Sequence, residues 1–155
     1  MRFKIIPIPV EVAEEARASG RAPHFGHPTH PHTASAEGYG PCRLCLQRTR
    51  AGERRVLLTY NPTRDLPGIP FGGPIVVHQE ACEPYAGHGV PEGWEGLPIA
   101  LCGHLEGGAG LVFREASDGL EAGILDLFRD PRVAFITLRN TDPDSACYIA
   151  RVERA

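Results

Sequence analysis

The chain has 155 residues and a formal net charge of −3, with 42% hydrophobic and 23% charged residues. These values are ordinary for a globular protein and exclude a disordered or fibrous chain, while the length predicts a single domain over residues 1–155. The 16 basic residues are spread along the sequence. A scattered positive charge within an acidic total argues against nucleic acid as a partner.

The first residues do not resemble a signal peptide, because two prolines and a run of glutamates follow the short apolar stretch too soon. No window approaches the roughly 18–20 apolar residues that a membrane-spanning helix needs. We therefore expect a cytoplasmic protein with no membrane partner. In that compartment thiols stay reduced, and an odd total of five cysteines fits a disulfide framework poorly.

The N-terminal part of the chain predicts a strand, a helix and a long loop. Residues 2–9 alternate as a strand does, but their two prolines confine it to a sheet edge or shorten it. Residues 10–19 have an acidic start and an apolar side, and Gly20 ends the predicted helix. The segment 21–41 is rich in proline, glycine and histidine and has no period. It predicts a long loop, of a length that is usually functional or disordered.

The remainder of the chain predicts mostly strands. They are expected at 54–60, 74–78, 98–105, 111–114, 132–139 and 146–152. The first two should pair as a hairpin followed by a helical turn over 80–83, and 132–139 is apolar on both faces, as in a central strand. Apolar residues at helical spacing predict a second helix within 118–129, capped by Ser117 or Asp118. The predicted fold class is α+β: a small mixed or antiparallel sheet with two main helices and a zinc-stapled, treble-clef-like loop region.

The zinc prediction rests on two pairs of residues. Cys42 and Cys45 are separated by two residues, and His78 precedes Cys82 by four positions. Both spacings are typical of zinc ligands, since the turn in a CxxC motif aims both sulfurs inward and positions i and i+4 share one face of a helical turn. The sequence thus predicts one zinc ion held by these four side chains, in a region of about 41–86.

The order of the elements indicates what this ion does. In treble-clef zinc modules, a short turn with the first pair of ligands is followed by a β-hairpin, and the second pair of ligands lies at the start of a helix. The predicted elements follow the same order. Three thiolates and one imidazole leave no position for an activated water, which favours a structural ion over a catalytic one. A redox pair formed by Cys42 and Cys45 is the alternative, although the thioredoxin-like βαβ context of such motifs is not evident.

The other cysteines and histidines have simpler interpretations. Cys102 and Cys147 are expected to be small buried residues, with a reactive role left open. His24, His27, His30 and His32 lie in the predicted loop, where a second metal site is the alternative to plain solvation.

Several short motifs, taken in order, resemble a bacterial family known as domain of unknown function 1203. They are Gly26-His27-Pro28, Pro41-Cys42-Arg43-Leu44-Cys45-Leu46, Gly73-Pro74-Ile75-Val76-Val77-His78 with Cys82, Val133-Ala134-Phe135, Arg139-Asn140, Cys147 and Arg151-Val152-Glu153-Arg154. The resemblance spans nearly the whole chain and implies a single-domain protein of about this length, with no established activity. Cys102 stands where the family leads us to expect an arginine.

Three functions are compatible with these observations, and whether the chain is an enzyme stays open. The first is a zinc-stabilised binding module whose partner is an unknown protein or small-molecule ligand. The second is an enzyme for an anionic or polar small molecule, with candidate residues His27, Arg139, Asn140 and Tyr148: the imidazole would act as acid or base and the guanidinium would bind the anion. The third is nucleic-acid binding through the arginines near the first cysteine pair. These are Arg43, Arg48, Arg50, Arg54 and Arg55.

Overall fold

A computed structural model describes residues 1–35, 40–66, 72–141 and 147–155. Within them the chain forms two helices and two antiparallel sheets, which confirms the α+β class. The helices are α1 (Val10–Ser19) and α2 (Leu120–Leu127). The strands are β1 (Phe3–Ile6), β2 (His30–Thr33), β3 (Arg54–Tyr60), β4 (Gly73–His78), β5 (Ile99–Leu105), β6 (Leu111–Glu115), β7 (Val133–Asn140) and β8 (Tyr148–Arg154).

The larger sheet has the strand order β1-β8-β7-β5-β6, and the smaller one the order β2-β3-β4. Strand β1 lies at an edge and ends at Ile6, before the first proline, as its sequence predicted. Strand β7 is the middle strand, which agrees with its apolar residues on both faces. The β5–β6 hairpin also forms as predicted, around a 3₁₀ turn at Glu106–Gly108.

Helix α2 covers one face of the larger sheet. Ile124, Leu127 and Phe128 are buried against residues of β5 and β7. The expected capping by Ser117 or Asp118 is wrong: the N-cap is Gly119, and no side chain caps the helix. The reason is a tight turn in which the Gly119 N–H donates to the Ala116 carbonyl, which places both polar residues before the helix start.

Helix α1 packs on the smaller sheet and forms a second apolar cluster. Val12, Ala13 and Ala16 are its buried residues. The helix ends as predicted at Gly20, whose φ of 64° is the left-handed conformation that glycine adopts at low cost, and whose N–H donates to the Ala16 carbonyl. The sheet contributes Val56, Leu58, Ile75 and Val77.

The prediction of one long loop over 21–41 is wrong in its middle, because His30–Thr33 forms β2 and pairs antiparallel with β3. This strand lies at the edge of the smaller sheet, and of its four residues only His32 is partly buried. An exposed edge strand needs no apolar alternation and tolerates Pro31, whose missing N–H costs nothing where it faces solvent. The apolar pattern that identifies other strands was therefore absent.

The β3–β4 hairpin forms as predicted, but residues 80–83 do not form the helical turn expected after Gln79. The Gln79 N–H donates to the Arg54 carbonyl at 3.0 Å, which extends the sheet pairing past His78, and Pro84 prevents a helix from continuing. Neither helix of the described residues is long and apolar enough to cross a membrane.

Candidate metal centre

The first cysteine pair lies in a tight turn, residues 42–46, which we call the knuckle. The Leu46 N–H donates to the Cys42 carbonyl at 2.8 Å, and Leu46 has a φ of 60°, an uncommon conformation for a leucine. Two contacts offset this strain: the Leu46 side chain is buried, and its carbonyl accepts a hydrogen bond from Trp94 Nε1 at 2.9 Å. The chain therefore reverses immediately after Cys45, so both sulfurs lie on the same side.

The second pair meets the first from the smaller sheet. His78 ends β4, and the irregular segment that follows brings Cys82 back to the knuckle. The Sγ atoms of Cys42 and Cys82 are 3.9 Å apart, and Cys45 Sγ lies 3.4 Å from His78 Nδ1. All four ligand atoms lie within 4.8 Å of one another.

These distances fit one metal ion. A tetrahedral ion with metal–sulfur bonds of about 2.3 Å holds its sulfur ligands roughly 3.8 Å apart. The residues that the sequence predicted as ligands are thus brought together in a cluster that could bind a metal.

Two residues that the sequence analysis did not identify support the cluster. Glu53 accepts a hydrogen bond from His78 Nε2 at 3.0 Å, and because a carboxylate only accepts, Nδ1 is the ring nitrogen that can bind a metal once it has lost its proton. Arg17 of α1 donates from Nε to the His78 carbonyl at 2.9 Å and from Nη2 to Cys82 Sγ at 3.5 Å. No local spacing links either residue to the cysteines, so only the packing of α1 and the turn before β3 reveals them.

The four side chains of the cluster shift one another's pKa values. Hydrogen bonds from the other thiols, Cys45 first, lower the pKa of Cys42, and the hydrogen bonds to Cys42 raise the pKa values of Cys45 and Cys82. The hydrogen bond with Cys42 also raises the pKa of His78 to about 9. A bound metal must therefore displace protons from His78 and from the two thiols whose pKa values are raised.

The predicted enzyme residues occupy two places. Arg139 and Tyr148 are directly opposite each other on β7 and β8, both buried, and Asn140 accepts a hydrogen bond from the Cys147 N–H. His27 is exposed, and its Nε2 lies 2.8 Å from Thr59 Oγ1 on β3. A ligand shared by His27 and Arg139 stays a prediction.

The five arginines near the knuckle do not form one exposed patch. Arg43 is only 5% exposed, and its side chain donates to the carbonyls of Tyr148 and Pro41. Burial lowers its pKa to about 10. Arg54 is exposed and pairs with Glu80. The sequence could not distinguish these roles, because the burial of an arginine depends on contacts with segments distant in the chain.

The remaining candidates agree with their simpler interpretations in part. Cys102 is buried, as predicted, whereas Cys147 is only half-buried. Among the loop histidines, His30 and His32 stack their rings 6.0 Å apart. Within the described residues, the cluster of Cys42, Cys45, His78 and Cys82 is the one group of metal-ligating side chains close enough to hold an ion.

A cavity of about 630 Å³, the knuckle cavity, opens beside this cluster. Cys45 and the five residues after it form one wall, and Tyr85 with residues 91–93 forms the other. The second wall is tied to the knuckle by the Tyr85 N–H, which donates to the Leu44 carbonyl at 2.9 Å, and by Arg48, which donates to the Gly93 carbonyl at 3.2 Å. The metal cluster thus lies directly behind one wall of the cavity.

The family model described as "Protein of unknown function (DUF1203)" matches residues 39–154. The match covers most of the chain, including all four clustered side chains, and the chain belongs to this family. No curated protein and no solved structure matches it.

Proposed function

We propose that this protein is a zinc-stabilised binding module, in which a structural zinc ion at Cys42, Cys45, His78 and Cys82 holds the walls of the knuckle cavity in place for a ligand. The observation that carries the proposal is the convergence of three thiols and one imidazole within 4.8 Å of one another. This ligand set is typical of structural zinc sites, including those of treble-clef modules.

The donor set supports a structural ion. Four protein ligands complete a tetrahedral shell, so no coordination position is left for a reacting water. Three thiolates and a divalent ion carry a net charge of about −1, and the Arg17 guanidinium beside Cys82 offsets it. The His78 N–H, 3.3 Å from Cys42 Sγ, adds a backbone hydrogen bond to another thiolate.

The position of the knuckle supports a role in fixing the fold around the cavity. Cys42 and Leu44 belong to the apolar cluster under α1, and Leu46 belongs to the cluster under α2. One ion at the knuckle therefore fixes a segment shared by both cores. Structural zinc sites contribute on the order of 10–16 kcal/mol of apparent binding free energy, comparable with the whole stability of a domain.

The test is the metal content of the purified protein, measured by elemental mass spectrometry for the wild type, Cys82→Ala and Cys102→Ala. We expect one zinc per chain in the wild type and in Cys102→Ala, whose replaced thiol is buried in the larger sheet away from the cluster. Cys82→Ala should lose the ion together with cooperative unfolding of the knuckle region. A folded, reduced wild type without metal would refute the proposal and favour the redox alternative for Cys42 and Cys45, and iron in place of zinc would change the identity of the cofactor.

A further inference from the structure

A second cavity, which we call the arginine cavity, lies between the smaller and the larger sheet. Its volume is about 290 Å³. Arg43 and Arg55 line it from the knuckle and from β3, and Asn140 and Cys147 line it from the larger sheet. Most of its remaining wall is apolar and includes Leu57 and Ile149.

Among the described residues, the two guanidinium groups have only neutral partners. Arg43 donates to the carbonyls of Tyr148 and Pro41, and Arg55 donates to Thr49 Oγ1 at 2.8 Å and to His32 Nε2 at 3.1 Å. Within the described residues, neither arginine forms a hydrogen bond or ion pair with a carboxylate. Two positive charges therefore lie beside a largely apolar cavity without a counter-ion of this kind.

One donor of Arg55 has no acceptor in the part of the chain that the structure describes. Its Nε is buried and makes no hydrogen bond. Buried polar groups in folded proteins are nearly always satisfied, and an unsatisfied donor on a charged group is the most costly kind. An anion in the cavity would supply a counter-charge to both guanidinium groups, and the planar guanidinium matches the geometry of a carboxylate.

We propose that the arginine cavity binds the carboxylate of a small amphiphilic acid, held by Arg55 and Arg43, with its hydrocarbon part against the apolar walls. The volume is at the lower limit of ligand pockets, which sets the ligand class to short aliphatic or single-ring acids. This inference deepens the proposed binding role, but it uses a different cavity from the one beside the metal.

The structure contains a native reporter for this cavity. Cys147 lines it and is half-buried, whereas Cys102 is buried and the other three thiols are the proposed zinc ligands. An occupant of the cavity should therefore slow the alkylation of Cys147 by iodoacetamide, which peptide mass spectrometry measures separately for each cysteine. Metal content is determined on the same sample, so a failure of the zinc proposal and a failure of this one give different results.

The experiment compares sodium hexanoate, 1-hexanol and inorganic phosphate on the full-length protein as purified. We expect hexanoate to protect Cys147 and the other two compounds to leave its alkylation rate unchanged. Arg55→Gln should weaken the protection by hexanoate by roughly tenfold or more, because a charge-assisted hydrogen bond is lost. The matched control Arg129→Gln removes an exposed arginine that pairs with Asp126, away from both cavities, and should bind hexanoate like the wild type.

Equal protection by hexanol would show that the cavity recognises no charge, and protection by phosphate alone would show a different anion class. Either result, or the absence of any protection, would overturn the proposal. Since Arg55 also holds Thr49 and His32, circular dichroism is used to check the folding of Arg55→Gln. The comparison of the three compounds on the wild type tests the proposal even when that variant does not fold.

Discussion

Replacement of Arg17 by glutamine tests whether α1 stabilises the metal-bound state. Arg17 contacts the cluster twice, through the His78 carbonyl and through Cys82 Sγ. When zinc is bound, Cys82 is a thiolate, and a hydrogen bond to a charged group contributes about 1.5–3 kcal/mol. Each 1.4 kcal/mol corresponds to about tenfold in affinity. The Arg17 side chain is half-buried, so solvent screening favours the lower limit of this free-energy range. We therefore expect zinc to bind to Arg17→Gln roughly tenfold more weakly. This lies within the 10- to 100-fold range typical of residues that support metal ligands.

The assay is competition for zinc between the protein and a chromogenic chelator at neutral pH. Arg21→Gln is the matched control, because Arg21 follows the same helix but donates to the Gly26 carbonyl, away from the cluster. Urea unfolding of the zinc-loaded proteins should show a larger loss of stability for Arg17→Gln than for Arg21→Gln, since only Arg17 donates to a sulfur of the cluster. Equal zinc affinity in the wild type and both variants would refute the role assigned to Arg17.

His104→Gln and Gly123→Ala test the larger sheet and the helix packed on it, and Gly73→Ala in the smaller sheet is the control for the second of them. Burial, reinforced by nearby guanidinium groups, lowers the pKa of His104 to about 4. Below about pH 6.5 the unfolded chain binds a proton at this imidazole that the folded chain does not bind. The free energy of unfolding is therefore highest above that pH and decreases as the pH falls towards about 4. Between about pH 7.5 and about pH 5 the loss is about 2 kcal/mol, and urea unfolding of His104→Gln should lack it; an identical pH dependence in both proteins would contradict the assignment. Gly123→Ala places a Cβ 2.6 Å from Leu101 Cδ1 under α2, and we expect a loss of about 1 kcal/mol in thermal unfolding, since overpacking exceeds the gain in helix propensity. At Gly73 a Cβ meets nothing within 4 Å, so Gly73→Ala should change stability by less than about 0.5 kcal/mol, and equal effects at both sites would contradict the packing argument.

Elements with a clear local signal were predictable from the sequence. The helix at 10–19 has its stop at Gly20, strand 132–139 is apolar on both faces, and the β3–β4 hairpin follows from two β-rich runs. Strand β2 was missed because an exposed edge strand carries no apolar pattern. The helical turn after Gln79 was wrong because its N–H pairs with β3 instead. Local propensity decides the first group of elements, and long-range hydrogen bonds decide the second.

The same division applies to the candidate site. The sequence by itself predicted the four clustered side chains, because the spacing of the two short-range pairs is typical of metal ligands. Only the tertiary structure decided what surrounds them. Arg17 and Glu53 lie on separate elements that contact the cluster once α1 and the smaller sheet have packed. It also decided which arginines are buried: Arg43 lies between the sheets and Arg48 in solvent. The amino-acid type determines the charge of a residue. Its burial depends on contacts with distant segments, and those contacts form only in the folded chain.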